Sequence, residues 1–234
     1  MKISPFRLRL LPIENGFGLE TPDPEWLTCH QVHSADVFFC DSGHLNSIKA
    51  DGLISSENKA LAVQTADCLP VLFSTKDGKM VAAVHAGWRG VLDGILLNAV
   101  RKMSEAGAKP EDLLVAIGPC LRQCCFEISS SLVSEFESKW GGLWKKTAKP
   151  YSNTQPASNG AQAKPLQENI WMDLVTIARL QLLNCGVNQI DDLGVCTYCS
   201  GLASYRRATH ENTGRAGRLW SFVRAAPAEP SKVQ

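Results

Sequence analysis

Residues 60–90 read ALAVQTADCLPVLFSTKDGKMVAAVHAGWRG, and this stretch decides the fold. Three β-rich runs, residues 61–65, 71–74 and 80–84, precede a switch to helical period. Between the last two runs, Lys76-Asp77-Gly78-Lys79 has the composition of a hairpin turn. After His85-Ala86-Gly87-Trp88-Arg89-Gly90, the side chains of Leu92, Ile95, Leu96, Ala99, Val100 and Met103 share one helical face, and Gly107 ends the helix. Cys68 and His85 each stand where an apolar run breaks into a small-residue turn. Such strand ends are where a fold presents side chains to a pocket.

The same grammar extends outward. Residues 7–11 and 30–39 read as strands, and residues 50–54 as a turn leading into a short one. Residues 113–117, 190–195 and 219–223 are further strands. Residues 129–140 form a helix with serines available as N-cap, and Asp173 caps another whose apolar face runs from Leu174 to Cys185 before Gly186. Hairpins and helical connections both occur, so the expectation is one mixed α/β (α+β) domain over residues 1–234. Residues 141–168 lose all apolar period and read as an exposed loop, and residues 225–234 as a disordered tail.

Composition narrows the function. A net charge of +1 gives no global attraction to nucleic acid or to an anionic membrane, so neither is an expected partner. The first residues lack the apolar core of a signal peptide, and no run has the length of a membrane span. The expected compartment is the cytoplasm. In such a reducing setting most of the nine cysteines are buried thiols, and one or two are chosen for reactivity or metal. Nothing in the sequence specifies an oligomeric state.

His33, Cys68 and His85 offer two imidazoles and a thiolate, enough to hold a zinc ion and leave a fourth position open. Their separations of 35 and 17 residues match no zinc-finger spacing, and any one of them alone is more readily a packing residue. Cys120, Cys124 and Cys125 read as packing thiols. Cys196-Thr197-Tyr198-Cys199 has CxxC spacing but no second CxxC pair, which leaves a structural zinc or a redox motif as the minority reading. The HxE and PCxxC signature of cytidine-type deaminases is absent. Arg89, Arg206, Arg207, Arg215 and Arg218 form a basic set, of which Arg89 and Arg206 are the candidates for holding phosphate or substrate. Asp67 is the nearest candidate acid or base, though a structural role in the turn fits it equally well. No catalytic residue is assigned.

The ordered blocks QVHSADV, ADGLIS, TADCLPVLF, VHAGWRG, IGPC with CCFEI, and CTYC with SYRR and TGR resemble the YfiH-like or laccase-domain family. The resemblance runs from about Gln31 to Leu219. It implies a four-layer α-β-β-α sandwich and a metal held by His33, Cys68 and His85, with His30 outside the set. It also implies a zinc-dependent purine nucleoside phosphorylase, with adenosine, inosine, guanosine, 5′-methylthioadenosine and phosphate as substrates, and an accompanying adenosine deaminase activity. An open-site zinc lowers the pKa of bound water toward about 7, which deamination at C6 requires. One departure stands out. The Gly/Ser-rich N-terminal segment of many members is replaced by the short Asn15–Glu20 route, and an aromatic usual before SYRR is Ala203 here.

Three other readings use overlapping residues. Cys68 and His85 could act as nucleophile and base in a metal-free hydrolase, for deamidation or cell-wall precursor editing. Two histidines and a cysteine also suit copper, hence an oxidoreductase acting on phenols, although four-electron reduction of oxygen needs more than one such site. A binding module with a closed metal site would need a fourth ligand, for which Cys120 is the candidate.

Overall fold

The computed structural model describes residues 12–40, 48–145, 147–214 and 216–227. In chain order, β1 (Asn15–Leu19), β2 (Val37–Phe39), β3 (Gly52–Ser55), β4 (Ala60–Thr65), β5 (Leu69–Thr75) and β6 (Val81–Ala86) come first. Helices α1 (Trp88–Asp93) and α2 (Ile95–Glu105) lead to β7 (Leu113–Ile117), β8 (Glu127–Ile128) and α3 (Ser130–Trp140). Then follow β9 (Tyr151–Ser152), β10 (Ile170–Met172), α4 (Leu174–Asn184), β11 (Gln189–Asp192), α5 (Tyr205–His210) and β12 (Leu219–Arg224).

A mixed six-stranded sheet has the order β11-β7-β5-β6-β3-β2, with parallel pairs only at its two edges. Its central strands are apolar on both faces because both faces are covered. Val71, Phe73, Val84 and Val115 pack against Ile95, Leu96, Ile177 and Leu182 of α2 and α4. On the other side Leu53, Leu72, Ala83 and Ala116 pack against Leu61, Val63 and Val223, from the three-stranded sheet β1-β12-β4. This is a mixed α+β domain in which helices cover one face of the large sheet and the small sheet covers the other. The far face of the small sheet carries Trp26 stacked on Phe222, with ring centroids 4.6 Å apart.

Several expectations are corrected. The helix after His85 is two helices, because Gly94 adopts a left-handed φ of 87°. The Trp140 indole lies against Gly94 and donates to the carbonyl of Leu92 at 2.8 Å, satisfying an acceptor the break leaves free. Of residues 30–39 only Val37–Phe39 are strand, since the preceding residues turn around the carboxylate of Asp51. The strand expected at 190–195 stops at Asp192, where Gly194 takes positive φ. The strand expected at residues 7–11 lies outside the described residues.

The stretch 141–168 is exposed only in part. It opens with a turn of 3₁₀ helix that buries Trp144, contributes β9, and returns to the body at Glu127. The buried Glu127 carboxylate accepts from the backbone N–H groups of Leu166, Gln167 and Asn169 at 2.6, 3.0 and 2.9 Å. Burial disfavours its charge, but these donors outweigh that and hold its pKa below the usual carboxylate range. The tail does not begin at Ala225: that residue is 1% exposed, its carbonyl accepts from Asn58, and Ala226 N–H donates to Gly78. Residues 228–234 lie outside the described residues.

Glu127→Ala leaves three backbone donors without their acceptor, at an expected cost of about 1–3 kcal/mol. Cleavage between residues 153 and 169 by a non-specific protease should accelerate, whereas the exposed control Glu111→Ala should leave it unchanged.

Candidate metal centre

The register of β5 and β6 pairs Pro70 with His85 and Leu69 with Ala86, so Cys68 and Gly87 flank the same end of the sheet. A Cβ on Gly87 would stand 3.1 Å from His33 Cδ2 and 3.2 Å from Cys68 Sγ. A larger residue there would press on the two donor side chains. His33 comes from the turn before β2 and has a left-handed φ of 60°, a conformation that costs a non-glycine residue roughly 1 kcal/mol or more.

Asp51 holds both histidines. Its fully buried carboxylate accepts from the backbone N–H groups of Val32, His33 and Ser34 at 3.2, 3.0 and 2.6 Å, and from the Ser34 hydroxyl at 3.0 Å. The same carboxylate lies 2.7 Å from His85 Nδ1. A carboxylate that already accepts four donors is ionised, so Nδ1 keeps a proton and Nε2 is the ring nitrogen that could hold a metal once it gives up its own. Burial disfavours the Asp51 charge, but its donors more than compensate and lower its pKa.

The donor atoms of His33, Cys68 and His85 all lie within 4.8 Å of one another, with Cys68 Sγ 3.9 Å from His33 Nε2. The imidazoles meet edge to face, their centroids 4.7 Å apart. Partial burial opposes ionisation of Cys68, but hydrogen bonds to His33 and His85 prevail and bring its pKa down to about 7. Burial disfavours protonation of His85, yet Asp51 and Cys68 raise its pKa to about 9. The protein thus favours a thiolate here, the form in which cysteine binds metal.

These side chains open into a cavity of about 690 Å³. Trp88, Phe126, Tyr205 and Trp220 supply aromatic walls, and Arg89, Arg206 and Arg218 reach it as well. Among the described residues, neither Arg89 nor Arg206 forms an ion pair with a carboxylate. The Arg206 guanidinium donates to the Glu127 carbonyl at 3.1 Å, and that of Arg89 lies over the Trp88 ring. Arg207 is spent on the carbonyls of Tyr198 and Leu202, and Arg215 lies outside the described residues. His30 lines the cavity but is not in the donor group.

Asp67 has a structural task. Its carboxylate accepts from Thr197 Oγ1 and from the backbone N–H of Arg206, both at 2.6 Å, in the first turn of α5. Cys120 belongs to no candidate metal group among the described residues; its thiol is fully buried and pushed up to about 12. Cys124, Cys125, Cys196 and Cys199 do form such a group, so Cys124 and Cys125 are not isolated packing thiols. Asp51 was not anticipated in this role. The small-residue setting Ala50-Asp51-Gly52 offers no sign that a carboxylate is buried there; only its place before a short strand could have drawn notice.

The family described as multi-copper polyphenol oxidoreductase laccase matches residues 14–225. The chain belongs to this YfiH-like, laccase-domain family. Among its relatives, a purine nucleoside phosphorylase of Rickettsia conorii is 35% identical over 188 residues, covering 79% of this chain and 71% of the relative. The purine nucleoside phosphorylase YfiH of Shigella flexneri is 34% identical, covering 86% and 73%. The crystal structure of YlmD from Geobacillus stearothermophilus has a TM-score of 0.71 and 29% identity, over 86% of this chain and 73% of that one. A Neisseria meningitidis protein of the family has a TM-score of 0.70 and 28% identity, over 86% and 74%.

Asp51→Asn puts an amide donor among donors and is expected to cost about 3 kcal/mol in fold stability. It should also weaken Zn²⁺ binding at His33 and His85 by about 10–100-fold, read from their imidazole NMR signals. Unchanged affinity would show that Asp51 serves the fold alone. Gly87→Ala, with its methyl 3.2 Å from Cys68 Sγ, should weaken the same binding with little loss of fold stability.

Proposed function

We propose that this chain is a zinc-dependent purine nucleoside phosphorylase acting on adenosine, inosine, guanosine and 5′-methylthioadenosine, with adenosine deaminase activity at the same site. The observation that carries the proposal is a three-donor group opening into a cavity walled by aromatic rings and arginines. The relatives that are purine nucleoside phosphorylases by name support the same reading.

The donor set fits zinc. Tetrahedral Zn²⁺ with bonds of about 2.3 Å to sulfur and 2.0 Å to nitrogen places those atoms roughly 3.5 Å apart, and Cys68 Sγ and His33 Nε2 are separated by 3.9 Å. When bound, the ion supplies positive charge and Lewis acidity at an open coordination position. The protein does the positioning. Asp51 aims His85, and Trp88, Tyr205 and Trp220 offer flat faces to a purine. Arg89 and Arg206 offer forks to phosphate. In phosphorolysis a phosphate oxygen bonds to C1′ as the C1′–N bond breaks, giving ribose 1-phosphate and free base. In deamination water replaces the C6 amine and ammonia leaves. Asp67 is not assigned as base for either reaction, because both its oxygens serve α5 and Thr197.

The lowered Cys68 pKa also favours a second reading, a metal-free thiolate–imidazole hydrolase. The phenol oxidase reading is weaker. The described residues hold one mixed Cys/His group and one all-cysteine group, with no histidine-rich copper cluster between them. No helix among the described residues is long and apolar enough to cross a membrane, and the nine cysteines are free thiols, which supports a cytoplasmic setting.

Adenosine should yield adenine and ribose 1-phosphate with phosphate present, and inosine without it. Cys68→Ala should lower both rates by about three orders of magnitude, the several kcal/mol of charge stabilisation that a bound ion provides. Full activity in zinc-free protein, abolished by alkylation of Cys68, would replace this reading with the hydrolase. Arg89→Met should raise KM for phosphate about tenfold while changing KM for adenosine less, consistent with losing one charge-assisted fork.

A further inference from the structure

We propose that Cys124, Cys125, Cys196 and Cys199 form a second, structural zinc site with four thiolate ligands. The site does not depend on the activity proposed above. All four sulfurs lie within 4.8 Å of one another, with Cys199 Sγ 3.7 Å from Cys124 Sγ and 3.4 Å from Cys125 Sγ. Tetrahedral zinc with Zn–S bonds of about 2.3 Å requires sulfur–sulfur edges of roughly 3.8 Å. The cysteines already stand near that spacing. They are free thiols, and these two separations far exceed a disulfide bond of about 2 Å.

The local backbone is built for ligation. Cys196 and Cys199 bracket a turn closed by Ser200, whose N–H and hydroxyl both reach the Cys196 carbonyl at 3.0 and 2.7 Å. Cys124 and Cys125 lie on another turn, closed by N–H groups of Cys125 and Phe126 donating to the Arg122 carbonyl.

The site is also enclosed. Cys124, Cys125 and Cys196 are at most 8% exposed. Gln155 bridges the carbonyls of Cys124 and Ala163 at 2.8 and 2.7 Å, and Gly160 packs so tightly against the Cys199 carbonyl that a Cβ would stand 2.4 Å from it. Four clustered thiols, three of them buried, would lack good partners without a metal, because S–H groups are weak donors to one another. Soft thiolates at tetrahedral spacing select zinc among redox-inert ions.

The second CxxC pair that the sequence lacks is supplied by adjacent cysteines 71 residues upstream of Cys196 (196 less 125). A metal here would tie together two walls of the cavity. Phe126 follows one cysteine pair directly, and Tyr205 and Arg206 follow the other after a short connection.

The deciding experiment uses the full chain with His33→Ala and Cys68→Ala, which removes two donors of the first group and leaves the four cysteines intact. Purified with zinc available, it should retain about one equivalent of zinc, against about two in the unaltered protein. X-ray absorption should show a shell of sulfur only, at about 2.3 Å. Cys196→Ser with Cys199→Ser should lose one equivalent; if that variant does not fold, thiol labelling of the first variant replaces it. Cys124 and Cys199 should then react only after chelation. Absence of zinc from the first variant, nitrogen or oxygen in its metal shell, a disulfide among these cysteines by mass, or labelling indifferent to chelation would each overturn the proposal.

Discussion

The buried carboxylate of Asp51 is the interaction on which the rest of the site depends. It sits at the start of β3, where its carbonyl also accepts from the backbone N–H of His85 at 2.7 Å. One residue therefore binds β6 through its main chain, the His85 ring through its side chain, and the turn of residues 32–34 through both oxygens. An unpaired carboxylate at this depth would neutralise itself by taking a proton. Five donors keep it charged. In return, the turn that carries His33 keeps its left-handed φ, which an isolated segment would relax. The strain at His33 and the burial of Asp51 are thus one arrangement.

Cys68 is placed by a different device. The chain leaves the small sheet at the end of β4 and enters the large sheet at β5, crossing between them through Ala66, Asp67 and Cys68. Asp67 makes this corner with a positive φ of 90°, unusual for a side chain of its kind. Its carbonyl accepts from Leu121 and its carboxylate from Thr197 and Arg206, so three separate segments hold the corner. This corner and the donor group line the same cavity.

How legible this was depended on whether the signal was local. The central strands and hairpin could be read because β5 and β6 are buried on both faces, which gives continuous apolar runs. The caps at Ser129 and Asp173 follow from local hydrogen-bonding chemistry and are where they were expected. The break at Gly94 was not legible: the apolar period runs straight through it, and only Trp140, far along the chain, decides it. Residues 30–39 misled for the same reason. Their Val and Phe content suits a strand, but a carboxylate nearly twenty residues away bends them into a turn. The candidate donors His33, Cys68 and His85 were singled out by strand-end placement together with the family blocks, whereas Asp51, which holds the two histidines, shows itself only in three dimensions.

Cysteine context explains the remaining difference. Cys120 lies in the apolar core, and burial pushes its thiol up to about 12 even though Arg122 lies close enough to oppose that. Its near neighbours Cys124 and Cys125 have similar burial but face two other sulfurs, and that changes their chemistry. Sequence spacing cannot separate these cases, because the partners arrive from the far end of the fold through the bridge that joins Cys120 to Cys196. That backbone pairing brings the second cysteine turn to the first, and α5 follows within a few residues. The main-chain contact at Cys120 thus assembles the cysteine group and also positions the wall that carries Tyr205 and Arg206. Cys120 joins these segments through its main chain while its thiol takes no part in either candidate group.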